Sequence, residues 1–98
     1  MDPTYQSNII NLAALFKAIG HPIRLCLLHK LCEQEECNVT YFTSCMDASQ
    51  SNISQHLSRL RDMGIVTTRR DGTTIWYRLN NETVRDIIKC VKIRSEET

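Results

Sequence analysis

The sequence predicts a mainly α fold with one small β-hairpin, a winged helix-turn-helix of order α-α-α-α-β-β-α, and three observations predict it. Residues from Ser49 to Asp62 spell a serine-rich helix with an apolar stripe, SQSNISQHLSRLRD. Two alternating stretches, IVTTRR and TTIWYRL, flank an Asp71-Gly72 turn, which is a strong short-range hairpin signal. Three further segments of helical spacing lie upstream and one lies downstream.

In the first segment Ile9, Leu12, Ala13, Phe16 and Ile19 recur at three- and four-residue spacings, which predicts a helix over 7–19, N-capped by Ser7 or Asn8 and stopped by Gly20. His21-Pro22 opens a second helix, with proline in its favoured first turn and Leu25, Leu28, Leu31 and Cys32 on one face through to Glu33. The acidic, unpatterned QEECN reads as a loop, and Val39 to Met46 as a short helix. Asp47-Ala48-Ser49 is then a turn with Ser49 as N-cap of the fourth helix, a helix-turn-helix layout. In that helix the 3.6-residue repeat sends Ile53, Leu57 and Leu60 inward, and Gly64 ends it. Trp76 and Tyr77 alternate faces of the second strand, so at least one belongs to the core. Glu82 to Ile93 returns to helical spacing through Val84, Ile87, Ile88 and Val91, with SEET as a frayed tail.

Ninety-eight residues are enough for one small core and not for a separate catalytic domain, so 1–98 is read as a single domain. A hydrophobic share of 42% with 23% charged residues is in the globular range, and no stretch approaches the roughly 20 apolar residues of a membrane span. The opening MDPTYQSN lacks a basic region leading into an apolar core, so a soluble protein of the reducing cytoplasm is expected. The net charge of +1 conceals an uneven distribution. Arg59, Arg61, Arg69, Arg70 and Arg78 fall close together, while Glu33, Glu35 and Glu36 cluster upstream, so a basic half is expected. No nucleophile, base and orienting group share a motif, and no Cys-x-x-Cys pair is present, so an enzyme is not expected.

A helix enters the major groove with a face that is narrow, polar and free of negative charge, because it lies between two phosphate rows. Ser51, Asn52, Gln55, Ser58 and Arg59 form such a face, and Ser49, Gln50, Ser54 and Arg61 complete the candidate DNA contacts of this helix. Asn52 and Gln55 suit an adenine edge, Arg59 a guanine or a phosphate, and the serines backbone or water-mediated contacts. A merely solvated face would favour Glu and Lys, which are better helix formers than Ser and Asn. On the hairpin, Arg69, Arg70, Thr73 and Thr74 are candidates for phosphate or minor-groove contact. His56 flanks the apolar stripe and reads as packed or phosphate-touching rather than as a metal ligand. The rival from another class is a winged-helix module that binds a protein partner.

The stretches HPIRLCLL and SQSNISQHLSRLRDMGIVTTRRDGTTIWYRL resemble the ArsR/SmtB family of bacterial winged-helix repressors over nearly the whole chain. The resemblance implies a homodimer built on the first and last helices that binds double-stranded, pseudo-palindromic operator DNA until an inducer weakens it. Leu12, Phe16, Ile19, Val84, Ile88 and Val91 supply apolar surface for such an interface. The Cys-Val-Cys run of the family's soft-metal sensors is replaced here by Asn38, Val39 and Thr40. Its zinc sensors use Asp and His on the last helix, where this chain has no histidine after His56.

The inducer-sensing candidates are therefore Cys26, Cys32, Cys37, Cys45 and Cys90, toward a soft metalloid such as arsenite or toward a persulfide or oxidant. Family branches that sense persulfides pair cysteines of the second and last helices; Cys26 and Cys90 are on those helices but off that branch's positions. An odd count argues against a disulfide framework, and buried bystanders in a constitutive repressor are the alternative. Cys32 lies on the apolar stripe and is expected to be inert, and Cys37 is expected to be less reactive because of its acidic neighbours. No cofactor is required by this reading.

Overall fold

A computed structural model describes residues 1–91, 93 and 94. Its elements run α1 (Pro3–Ile19), α2 (Pro22–Glu33), α3 (Val39–Cys45), α4 (Gln50–Asp62), β1 (Val66–Asp71), β2 (Thr74–Leu79) and α5 (Glu82–Cys90). The order α-α-α-α-β-β-α is the one expected. Among the described residues, no single helix is long and apolar enough to cross a membrane.

The helix starts are set by side chains that satisfy otherwise unpaired backbone N–H groups. Asn38, Ser49 and Asn81 accept from the backbone of Tyr41 (2.8 Å), Asn52 (3.1 Å) and Val84 (2.9 Å), capping α3, α4 and α5. Helix α1 begins at Pro3, not at Ser7, because Asp2 accepts from the Tyr5 N–H at 2.9 Å and Pro3 occupies the first turn. Helix α2 is capped by His21, whose Nδ1 accepts from the Ile23 N–H at 3.1 Å. Helix α4 ends in a Schellman turn: the Ile65 N–H reaches Leu60 O and the Gly64 N–H reaches Arg61 O, both at 2.9 Å. Gly64 takes φ 74°, a conformation a Cβ would disfavour.

The core is made where α2, α4, α5 and β2 meet around α3's Phe42. Leu27, Leu28 and Leu31 of α2 are buried there, with Leu25 and Cys32 half-buried, so the inward face is rotated from the predicted one. Ile53, Leu57 and Leu60 of α4 are fully enclosed. Truncating one such leucine costs about 2–5 kcal/mol, more than exposed ion pairs contribute at about 0–1 kcal/mol each, so burial sets this fold. Tyr77 is the strand aromatic that enters the core, while Trp76 stays half-buried.

The hairpin pairs Val66 with Leu79 through to Asp71 with Thr74, leaving Gly72, at φ 65°, and Thr73 as its tip. Cys37 adds a short bridge to β2, with its N–H to Tyr77 O at 3.0 Å and the Tyr77 N–H to Cys37 O at 2.8 Å. The loop before α3 is thereby strapped to the wing.

Helix α1 projects from this core, burying only Ala18 and Ile19 in its last turn. Tyr5, Ile9, Ile10, Leu12 and Phe16 are exposed, so its stripe has no cover within the protomer. Helix α5 stops at Cys90, three residues before the predicted end, and the tail 95–98 lies outside the described residues.

One polar link joins three helices. Arg24 donates from Nε to His56 Nδ1 at 3.1 Å and from Nη1 to Ala18 O at 2.8 Å, while the His21 and His56 rings lie 4.3 Å apart. His56 is thus packed, and its pKa is lowered chiefly by burial, then by His21 and the cations Arg24 and Arg59. Protonation would remove the acceptor that Arg24 uses. Because the folded pKa lies below the unfolded value, the unfolded state binds the proton first, and stability falls as pH drops below about 6.5. The expected result is a melting temperature that declines over that window, with a shallower decline for His56→Gln, which keeps an acceptor without the titration.

Candidate nucleic-acid interface

Helix α4 buries Ile53, Leu57 and Leu60, and rotation by about 100° per residue places Ser51 and Gln55 near the centre of the opposite face, with Ser58 and Arg59 flanking it on either side. Ser51, Asn52, Gln55 and Arg59 are exposed, and Ser54 and Ser58 are half-buried. Ser49 is partly committed, because its hydroxyl caps the helix. A cleft of about 490 Å³ brings Gln50, Ser54, Ser58 and Arg61 of α4 together with Thr73 and Thr74 of the wing and Asn38 to Thr40 of α3. Arg59 lies on the other flank, beside His21 and Arg24. The structure therefore brings Gln50, Ser54, Ser58, Arg61, Thr73 and Thr74 together in one cleft and sets Arg59 on the other flank of the exposed ridge of Ser51 and Gln55.

Two expectations are corrected. The outward face is not free of negative charge: Asp62 falls in line with Gln55 by helical rotation, at the C-terminal end, where Arg61 pairs with it at 3.8 Å. The acidic loop is also not remote from the basic half. The Cys37 strap carries Glu36 to Arg69, whose Nε and Nη2 donate to its two carboxylate oxygens at 2.7 and 2.9 Å, and Glu35 accepts from Arg78 at 3.2 Å. The bond from Arg69 holds the Glu36 carboxyl below its usual range and raises the guanidinium pKa in return. Among the described residues, Arg59 and Arg70 have no carboxylate partner.

The cysteines divide by environment. Cys37, 1% exposed beneath the strap, is the enclosed one, and burial, followed by the neighbouring Cys45, pushes its thiol up to about 11. Its acidic neighbours are not the cause, since Glu35 and Glu36 turn out toward the wing. Cys32, expected to be inert, is only half-buried, with its pKa raised by desolvation against Arg85 and Lys89. Cys26, half-buried and raised by burial with Lys30 opposing, opens onto a groove of about 570 Å³ that Cys45 also lines, with His29, Lys30, Glu33, Ile93 and Arg94. Cys45 and Cys90 are exposed. Among the described residues, no three metal-ligating side chains are grouped to hold an ion.

The apolar set also splits. Ile19, Val84 and Ile88 are buried in the core, although Ile19 and Ile88 also line an apolar groove at the end of α1. Leu12, Phe16 and Val91 remain exposed, joined by Tyr5, Ile9, Ile10 and Ile93. Sequence periodicity marked a stripe on each helix without showing how far the protomer itself covered it.

An outward polar helix, an arginine-bearing hairpin beside it and a helix-turn-helix support beneath make up a winged helix-turn-helix. Residues 21–68 match the family described as bacterial regulatory protein, arsR family. The HTH-type transcriptional regulator YgaV of Escherichia coli is 38% identical over 87 residues, covering 89% of this chain and 88% of the relative. The arsenical resistance operon repressor of Bacillus subtilis is 31% identical over 88 residues, covering 90% and 84%. A crystal structure of a predicted DNA-binding transcriptional regulator from E. coli superposes with a TM-score of 0.87 at 36% identity, covering 94% of this chain and 97% of that one. The chain belongs to the arsR family of DNA-binding transcriptional regulators, which are not enzymes.

At pH 8 a thiol of pKa about 11 is ionised to about one part in a thousand. Native-state alkylation followed by mass spectrometry should therefore label Cys45 early and Cys37 last, with Cys37 reacting fully only after unfolding.

Proposed function

We propose that this protein is a homodimeric repressor of the cytoplasm that binds operator DNA and is released by an inducer directed at its thiols. The observation that carries the DNA contacts is the face of α4 opposite its buried stripe, where Ser51 and Gln55 are exposed beside a cleft in which Gln50, Ser54, Ser58 and Arg61 meet the wing tip. Gln55 has the paired donor and acceptor that an adenine edge requires, Arg59 suits guanine or phosphate, and Arg70 supplies an unneutralised charge for the backbone.

The second copy is called for by α1. A mostly apolar groove of about 420 Å³, lined by Phe16, Leu25, Ile87, Val91 and Ile93 among others, continues the open α1 stripe. An exposed patch of this kind is what an interface covers. Two-fold pairing would set the reading helices about 34–36 Å apart, one turn of DNA.

For the inducer, Cys26 and Cys45 share one groove on α2 and α3, and Lys30 favours the Cys26 thiolate against its burial. Two thiolates suit a soft metalloid or a thiol-oxidising sulfur compound. The groove is closed by Ile93 and Arg94, just beyond α5, so a ligand there acts where the apolar surface of the proposed dimer begins. Release follows if the ligand binds better to the inter-protomer angle in which the reading helices no longer match successive grooves.

The test is fluorescence anisotropy of the reduced protein on DNA from upstream of its own gene, repeated after arsenite and after an organic polysulfide. Tight binding lost on one treatment and retained in Cys26→Ser or Cys45→Ser is the expected result. Binding indifferent to both treatments would make the cysteines bystanders, and wild-type affinity in both Gln55→Ala and Arg59→Ala would defeat the DNA reading. Phe16→Asp should sediment as a monomer.

A further inference from the structure

Strand β1 carries Arg69 and Arg70 toward the wing tip on alternating faces, and their surroundings differ. Arg70 has no carboxylate within ion-pair distance among the described residues. Arg69 lies 5.7 Å over the ring of Trp76, its cross-strand partner, and gives two donors to Glu36 in the fork geometry by which a guanidinium also grips a phosphate. Glu36 is not a passing surface partner. Its neighbour Cys37 is fixed to Tyr77 by two backbone hydrogen bonds, and the Glu36 side chain is only 22% exposed against 53% for Arg69. The carboxylate thus stands where a phosphate would sit on that arginine.

We propose that Glu36 is an internal competitor for DNA phosphate at Arg69, so that the wing grips the backbone mainly through Arg70. The inference rests on the reading that the wing meets DNA. A phosphate approaching Arg69 meets a pair without net charge: it must either displace Glu36, leaving two anions face to face, or accept the remaining guanidinium edge of a neutralised cation. Either way about one counterion-releasing contact is lost per protomer, and with it about 0.9 unit of the slope of log affinity against log salt for each. The loss is the same for any sequence, because phosphate contacts carry no base information. Glu35, which pairs with Arg78 from the same loop, extends the neutralisation along β2.

The experiment is the salt dependence of anisotropy on the upstream DNA and on an unrelated duplex, for the wild type, Glu36→Gln, Arg69→Ala, Arg70→Ala and the double variant Glu36→Gln/Arg69→Ala. With one Glu36 in each protomer of the proposed dimer, Glu36→Gln should steepen the slope by about two units and tighten binding to both duplexes about thirty-fold near 0.15 M salt. It should do neither in the Arg69→Ala background. Arg69→Ala alone should change the slope much less than Arg70→Ala. An unchanged or weaker Glu36→Gln, with Arg70→Ala still reducing the slope, would overturn the competitor role and leave Glu36 as a brace for the wing. Equal slope losses in Arg69→Ala and Arg70→Ala would overturn it too, independently of how well Glu36→Gln folds. A slope indifferent to Arg70→Ala as well would defeat the wing reading itself, and the inference with it.

Discussion

The arrangement depends on the burial of one narrow stripe on α4. Ile53, Leu57 and Leu60 are wholly enclosed, so the helix can present only one face outward, and that face is decided by the rotation of the repeat. Arg24 then fixes the helix against its supports: it reaches His56 on α4 and the Ala18 carbonyl at the end of α1 from the first turn of α2. The His-Pro-x-Arg opening of α2 is therefore a structural joint. His21 caps the helix and packs on His56, Pro22 fills the first turn, and Arg24 closes the contact.

Charge is arranged by the fold as much as by composition. In the chain, the acidic triplet and the wing arginines are more than thirty residues apart. The two-bond strap between Cys37 and Tyr77 brings Glu36 to Arg69 and Glu35 to Arg78, so the wing is less cationic than a count of arginines implies. The same strap encloses the Cys37 thiol and leaves Cys26 and Cys45 as the pair facing one groove. A single local pairing thus shapes both the electrostatics of the wing and the exposure of the thiols.

What could be read in the sequence was what local rules encode. The α4 stripe, its Ser49 cap, the Gly64 stop and the hairpin all follow from short-range periodicity, capping and turn chemistry, and the structure has them, with the tip at Gly72-Thr73 rather than Asp71-Gly72 because Asp71 still pairs with Thr74. The start of α1 was readable in principle, since Asp2-Pro3 is a cap followed by a first-turn proline; the apolar pattern, which begins only at Ile9, drew the boundary inward. Periodicity could not show that Ile19, Val84 and Ile88 fill the protomer's own core while Tyr5, Ile9 and Ile10 stay open, because a stripe does not encode what covers it. Nor could it place Glu36 on Arg69, a contact made by tertiary pairing at a separation of 33 residues.

In the proposed complex, two copies of the α4 face read adjacent turns of one DNA duplex. Hydroxyl-radical footprinting of the reduced protein on the DNA upstream of its own gene tests it most directly. Two symmetry-related protected tracts whose centres are about 34–36 Å apart, one helical turn, are expected. Protection of a single unpaired tract, or none even at low salt, would contradict it.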